Sequence, residues 1–273
     1  MAFARNPLFI NTILLGGSPE QKLQAACQAG FNQVELWQQD VEAARAGLHG
    51  LNNVLRDLPL ALTDYQVLLD FDGAPDALRK DKYQEAEKMM QVACLLGAST
   101  LLVPASTDSR CHAERIEEDL RWLADRALQR GLNIAYEAMA WSCVINNTAD
   151  AWQLIKKIDA PNLGLVVDAF HIFVRQRSVN DLAGIPVEKI FLVQLSDLAQ
   201  LPAKEELVET ARHHRLLPGE GNFPLATLLQ HLHQIDYRGP LGLEVFNDDL
   251  HQADPVKTAR RAMHALSQLL ASQ

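Results

Sequence analysis

Short β-rich apolar runs alternate with longer amphipathic stretches along this chain, and the alternation repeats eight times. The strand-like runs fall at 8–15, 33–37, 60–68, 100–104, 133–137, 163–168, 190–195 and 241–246. Each is followed by a helical return. The first opens on Ser18 and Pro19 and runs towards Gly30; the next cover 41–56, 76–96 before Gly97, and 113–130 before Gly131. The rest cover 148–158, a short segment at 179–183, 224–235 after a long loop, and 255–270. A helix between two strands carries the chain back to the edge where the next strand starts, so the strands must run parallel. Eight such units predict one (β/α)8 TIM barrel over 1–273, an α/β single domain with no residues left for another. An open doubly wound sheet would need a glycine-rich phosphate turn after its first strand. Gly16 and Gly17 stand there, but they form neither GxGxxG nor a Walker pattern.

The formal net charge of -9 argues against a nucleic-acid partner, whose affinity would come from neutralising many phosphates. A small polar substrate fits better. Cys27, Cys94, Cys111 and Cys143 are scattered without a CxxC pair, so reduced thiols are expected rather than a disulfide framework or a zinc knuckle. Cys111 and His112 are adjacent but lack the third group that would activate a thiol. Arg5 followed by LFINTILLGG resembles a signal segment superficially, yet Asn11 and Thr12 interrupt it. No apolar run approaches a membrane span. A cytoplasmic protein without a membrane partner is expected, and a homo-oligomer stays open.

In a (β/α)8 barrel the C-terminal strand ends open on one face, where the βα loops build the active site. Four successive runs here end on oxygen-bearing side chains: Glu137 in LNIAYEAMAW, Asp168 in LGLVVDAFH, Gln194 in KIFLVQLSD and Glu244 in PLGLEVFND. Glu35, at the second strand end, joins them and is expected beside the substrate. Three carboxylates converging at low dielectric repel unless a cation or protons sit among them. The all-oxygen donor set of Glu137, Asp168, Gln194 and Glu244 suits one hard divalent ion, Mg2+ or Mn2+, with Co2+ also compatible. His171, three residues after Asp168, would stand beside the ion as an acid or base. The longest connection without strong helical periodicity, 198–221, carries Arg215 as a candidate anion anchor and His213 as a lining residue.

With these residues in place the chain resembles the xylose-isomerase-like TIM-barrel superfamily, the sugar phosphate isomerase and epimerase family, over essentially its whole length. The sharpest segments are YEAMAW, VVDAFH, FLVQLSD, ARHHRLLPGEG and LEVFND. Together they are most similar to bacterial 3-dehydroshikimate dehydratases. That resemblance implies a single metal on Glu137, Asp168, Gln194 and Glu244. Metal-bound epimerases commonly have His where Gln194 stands. The histidine-rich site of abasic-site endonucleases is missing from the second and third strand ends. Two positions depart from the dehydratase pattern: Leu69, before Asp70-Phe71-Asp72-Gly73, replaces an expected Arg, and Ala211 replaces an expected Ser.

The resemblance implies proton abstraction beside a metal-polarised carbonyl of a polyhydroxylated substrate, through an enolate. In the dehydratase version His171 is the base, Arg215 holds the substrate, and Glu137 or Glu244 assists loss of water as a lyase. The alternative is a sugar isomerase, ketose 3-epimerase or inosose-processing enzyme, with Glu137 and Glu244 flanking the reacting carbon as an acid/base pair and His171 binding a hydroxyl. A non-catalytic sugar-binding barrel is the third reading, disfavoured by the intact donor set.

Overall fold

The computed structural model describes residues 3–272. Its eight strands are β1 (Leu8–Asn11), β2 (Gln33–Trp37), β3 (Ala61–Gln66), β4 (Thr100–Pro104), β5 (Asn133–Glu137), β6 (Leu163–Asp168), β7 (Ile190–Leu195) and β8 (Leu241–Leu243). Each pairs in parallel with the next, and β8 pairs back onto β1, so the sheet is a closed barrel in chain order. The helices around it are α1 (Pro19–Ala29), α2 (Gln38–Ala43), α3 (Gly47–Asp57), α4 (Asp76–Leu96), α5 (Ile116–Leu128) and α6 (Thr148–Ile158). They continue as α7 (Ala169–Phe173), α8 (Leu207–His213), α9 (Leu225–Gln234), α10 (Asp248–Gln252) and α11 (Pro255–Ala271). No described helix is long and apolar enough to cross a membrane.

Local chemistry sets many of these boundaries. Before α1, Ser18 Oγ accepts from the Gln21 amide while Gln21 Oε1 accepts from the Ser18 amide, a reciprocal cap that satisfies two otherwise orphaned donors. The first strand is shorter than the expected 8–15. Asn11 Oδ1 accepts from the Ile13 amide at 3.0 Å, which starts a 3-10 turn over Thr12–Leu14. The expected helix at 41–56 is two helices, broken before Gly47, whose φ of 61° lies in the left-handed region. The loop at 198–221, read as lacking helical periodicity, contains α8. That helix is only seven residues long, too short for two full turns to reveal a period.

Two kinds of core fill the molecule. The larger lies between the sheet and the helices. The smaller plugs the barrel with Phe9, Leu102, Ala135, Val166 and Leu192, all 2% exposed or less. Burying side chains of this kind contributes roughly 1.5–3 kcal/mol for each large one. At the matching position of β8 stands Gly242, where a Cβ would lie 2.1 Å from the Phe9 carbonyl oxygen. Only glycine admits the Phe9 ring there. Side chains two apart on a strand share a face, so the next inward positions above the plug are Asn11, Pro104, Glu137, Asp168, Gln194 and Glu244.

Candidate metal centre

The apolar plug therefore forms the floor of a polar layer at the C-terminal barrel mouth. Glu137 and Asp168 are the last residues of β5 and β6, and Gln194 is the next to last of β7; Glu244 follows β8 directly and its amide still donates to the Leu195 carbonyl at 3.3 Å. All four side chains are buried. Glu35 and Asp64, paired across β2 and β3, face the same interior and are fully buried.

A network of hydrogen bonds ties the layer together. Arg215 Nη1 donates to Asp168 Oδ2 at 2.9 Å, to Glu244 Oε2 at 3.2 Å and to the Glu244 carbonyl at 3.3 Å, while its Nε donates to the Ala211 carbonyl. The guanidinium lies over Phe170, 4.3 Å from the ring centroid, with Phe246 at 5.0 Å. Glu244 Oε1 accepts from Asn11 Nδ2 at 3.0 Å and from Gln194 Nε2 at 3.2 Å. Gln194 Nε2 also donates to Glu35 Oε1 at 2.8 Å. What this leaves over is informative. Glu137 Oε1, Gln194 Oε1 and Glu35 Oε2 are buried without a hydrogen-bond partner, at an expected cost of about 1–3 kcal/mol for each such group.

Burial dominates the electrostatics. It pushes the Glu137 carboxyl well above its usual range, and repulsion from Glu244 and Asp168 adds to the effect. Glu244 is raised to about 7 by burial, against the opposing pull of Arg215. Asp168 is raised by burial too, and Arg215 limits the rise. Glu35 is pushed well up by burial and by Asp64, and Asp64 is raised by burial to about 8. Five buried carboxyls thus crowd one layer, and Arg215 neutralises only part of their charge. Glu137, Asp168 and His171 bring side-chain oxygen and nitrogen atoms within 4.8 Å of one another. The orphaned oxygens on Glu137 and Gln194, with this unrelieved negative charge, fit a bound divalent ion.

His171 sits in α7, 4% exposed, with Nε2 3.5 Å from both Glu137 Oε1 and Asp168 Oδ2. Burial and the charge of Arg215 hold its pKa well below the usual imidazole value, so the ring is neutral. Its Nδ1 accepts from the Ala140 amide at 3.1 Å, which places the ring proton on Nε2, facing the carboxylates. The base role expected for His171 does not fit this arrangement, because a protonated Nε2 has no lone pair to offer.

Above the layer opens a cavity of about 450 Å3, bordered by Glu137, His171, Arg215 and Glu244 on its polar side and by Trp37, Leu69, Met139, Trp141 and Phe246 on its apolar side. One expectation is corrected here. Glu35 was expected beside the substrate, but it is sealed from solvent, outside the residues that border the cavity, and bonded to Gln194. Arg215, expected to anchor a substrate anion, borders the cavity, with its guanidinium buried and bonded to Asp168 and Glu244. Cys111 is a packing residue: its thiol contacts the Asp72 carbonyl and is pushed up to about 11 by burial. His213 does reach the cavity rim, where Nδ1 lies 3.1 Å from Asp248. Leu69 and Ala211 both line the cavity.

Residues that sequence reasoning passed over complete the site. Asn11 holds Glu244 and accepts from Trp37 Nε1 at 2.7 Å. Asp197 accepts from the amides of Leu198, Gly219, Gly221 and Phe223, folding the loop that carries Arg215. Asn11 carried a signal: a polar residue interrupting an apolar run at a strand end, as at the four donor positions. Asp64 carried another, a carboxylate inside a strand.

The family model described as xylose isomerase-like TIM barrel matches residues 23–269. The 3-dehydroshikimate dehydratase of Pseudomonas aeruginosa is 35% identical over 263 residues, which cover 96% of this chain and 41% of that protein. The chain thus spans about two fifths of the length of that relative. An inosose isomerase of Halalkalibacterium halodurans is 26% identical over 211 residues, 74% of this chain and 72% of that protein. Among solved structures, a xylose isomerase-like TIM barrel/4-hydroxyphenylpyruvate dioxygenase fusion protein superposes with a TM-score of 0.93 at 31% identity, covering 98% of this chain and 43% of that one.

Proposed function

The chain belongs to the xylose isomerase-like TIM barrel family, and from that premise we propose that it is a divalent-metal-dependent enzyme acting beside the carbonyl of a small polyhydroxylated compound. The observation that carries this reading is the pair of buried, unpartnered oxygens on Glu137 and Gln194 among raised carboxyls. Glu137, Asp168, Gln194 and Glu244 would hold the ion, with Mg2+ or Mn2+ first and Co2+ next by donor type. A divalent ion there supplies Lewis acidity, which lowers the cost of removing a proton from a carbon next to a carbonyl.

The chain's own residues do the rest. Glu137 is the residue we assign as proton acceptor: it borders the cavity, and burial raises its carboxyl well above the usual range, which makes it a stronger base once ionised. His171 presents its Nε2 proton to the acidic layer and orients Glu137 and Asp168. Arg215 holds Asp168 and Glu244 in place and opposes the rise that burial imposes on both carboxyls. The apolar side of the cavity limits water around the reacting carbon. No nucleic acid or membrane takes part, and we place the reaction in the cytoplasm.

Dehydration of 3-dehydroshikimate is the first reading, supported by the relative that matches 96% of this chain. Isomerisation of an inosose or a ketose is the second. It is favoured by Leu69 and Ala211, which line the cavity without a charge or hydroxyl for a substrate carboxylate. A panel of 3-dehydroshikimate, inososes and free ketoses assayed in Mn2+ tests both. Ultraviolet absorbance of an aromatic product with the first compound alone supports the lyase; turnover of inososes or ketoses alone supports the isomerase. No turnover of any with Mg2+, Mn2+ or Co2+ contradicts the proposal.

A further inference from the structure

We propose that Glu35 is a positioning residue that sets the amide of Gln194 so that its oxygen, not its nitrogen, faces the ion. This inference rests on the metal-centre reading above. A glutamine amide has two ends of nearly equal shape and opposite hydrogen-bonding character, and only the oxygen can ligate a cation. Some neighbour must choose between the two orientations.

At this site the choice is made by acceptors. Gln194 Nε2 donates to Glu35 Oε1 at 2.8 Å and to Glu244 Oε1 at 3.2 Å, which leaves Gln194 Oε1 buried and unpartnered. Turning the amide over would give up both bonds that Nε2 donates and turn its NH2 group towards the ion. Glu244 is itself one of the proposed ligands, so its contact with Gln194 changes when it coordinates. Glu35 is free of that second duty. It is fully buried, lies outside the residues that border the cavity, and makes the shorter of the two bonds. Its backbone is fixed by β2, where it pairs with Asn11 on one side and Asp64 on the other. A carboxylate sealed under a barrel mouth carries a standing desolvation cost, and holding a ligand in one orientation is a function that accounts for it.

The test is a set of Mn2+ titrations by calorimetry on metal-stripped wild type, Glu35→Leu, Glu35→Gln, Gln194→Ala and Glu35→Leu/Gln194→Ala. Thermal unfolding of each metal-free protein is measured alongside. Glu35→Leu is expected to weaken Mn2+ binding by about 10- to 100-fold, the usual range for a residue behind a metal ligand. Glu35→Gln, which keeps an acceptor oxygen, should stay within about threefold of wild type, and removing Glu35 in the Gln194→Ala background should add less than about twofold. Three outcomes overturn the inference: Glu35→Leu binding like wild type, losses that multiply in the double variant, or a Glu35→Gln loss as large as that of Glu35→Leu. Should Glu35→Leu fail to fold, the Glu35→Gln result decides alone, with a loss above tenfold counting against the role. Absence of Mn2+ binding by the wild type would instead defeat the metal-centre reading itself.

Discussion

Two groups of buried acids in this barrel resolve the same problem in opposite ways. Behind the β3 and β4 ends, Asp119 accepts from the Gly73 amide at 2.8 Å, Arg79 Nη1 at 3.0 Å and the Tyr83 hydroxyl at 2.6 Å. Asp72 accepts from the Ser106 amide and the Tyr136 hydroxyl, and the half-buried Asp70 beside it accepts from the amide and hydroxyl of Thr107. These carboxyls knit the loops after β3 and β4 together. At the barrel mouth, Glu137 Oε1 and Gln194 Oε1 keep no hydrogen-bond partner within the described residues. Buried acids with their oxygens occupied mark structure; buried acids with oxygens to spare mark a place where something else must bind.

The sharpest way to break this contrast is to remove one acid from each group. Asp119→Ala should cost about 3 kcal/mol of stability, because it strands buried donors that have lost their acceptor, as denaturant unfolding would register. Glu137→Gln should leave the metal-free fold within about 1 kcal/mol of wild type, since a neutral amide replaces a carboxyl that resists ionisation. The same change should lower turnover by about a hundredfold or more. Equal destabilisation by the two substitutions would erase the distinction.

A smaller effect follows from the raised carboxyls. Glu244 is moved from 4.5 to about 7 and Asp64 from 3.8 to about 8 in the folded protein. A carboxyl raised by folding contributes its stability fully below its unfolded value and loses it as pH climbs through the folded one. Metal-free protein should therefore lose stability at these groups between about pH 4 and pH 8, and stabilisation by added Mn2+ should grow over the same span as the ion displaces protons. Thermal unfolding of wild type beside Glu244→Gln isolates the effect, and the variant should show a flatter dependence. An equally steep profile in the variant would count against the assigned shift.

Smallest of all should be Leu69→Ala. Leu69 is 41% exposed at the cavity rim, so its removal should change stability by no more than about 0.5 kcal/mol. Its effect should appear in KM for the substrate, and an unchanged KM would remove Leu69 from the cavity's specificity.

Much of this was legible beforehand. Apolar runs ending in Glu137, Asp168, Gln194 and Glu244 place those side chains at one barrel mouth once the strands are counted, because the C-terminal strand ends of a parallel barrel open on one face. What escaped depends on contacts between distant segments. Arg215 reads as a free anion anchor until the loop held by Asp197 folds it onto Asp168 and Glu244. The tautomer of His171 depends on the Ala140 amide, 31 residues away, and the burial of Glu35 on Gln194, 159 residues away. The break between α2 and α3 was missed for a different reason: Gly47 and its neighbours fit a continuous helical period, and only the positive φ reveals the turn.

The central claim is that the spare oxygens at the mouth belong to a metal ion. A calorimetric titration of Mn2+ into metal-stripped wild type and Glu244→Ala tests it most directly. Saturable binding at a single site per chain in the wild type, lost in Glu244→Ala, is the predicted result. No binding by the wild type, or undiminished binding by Glu244→Ala, would contradict it.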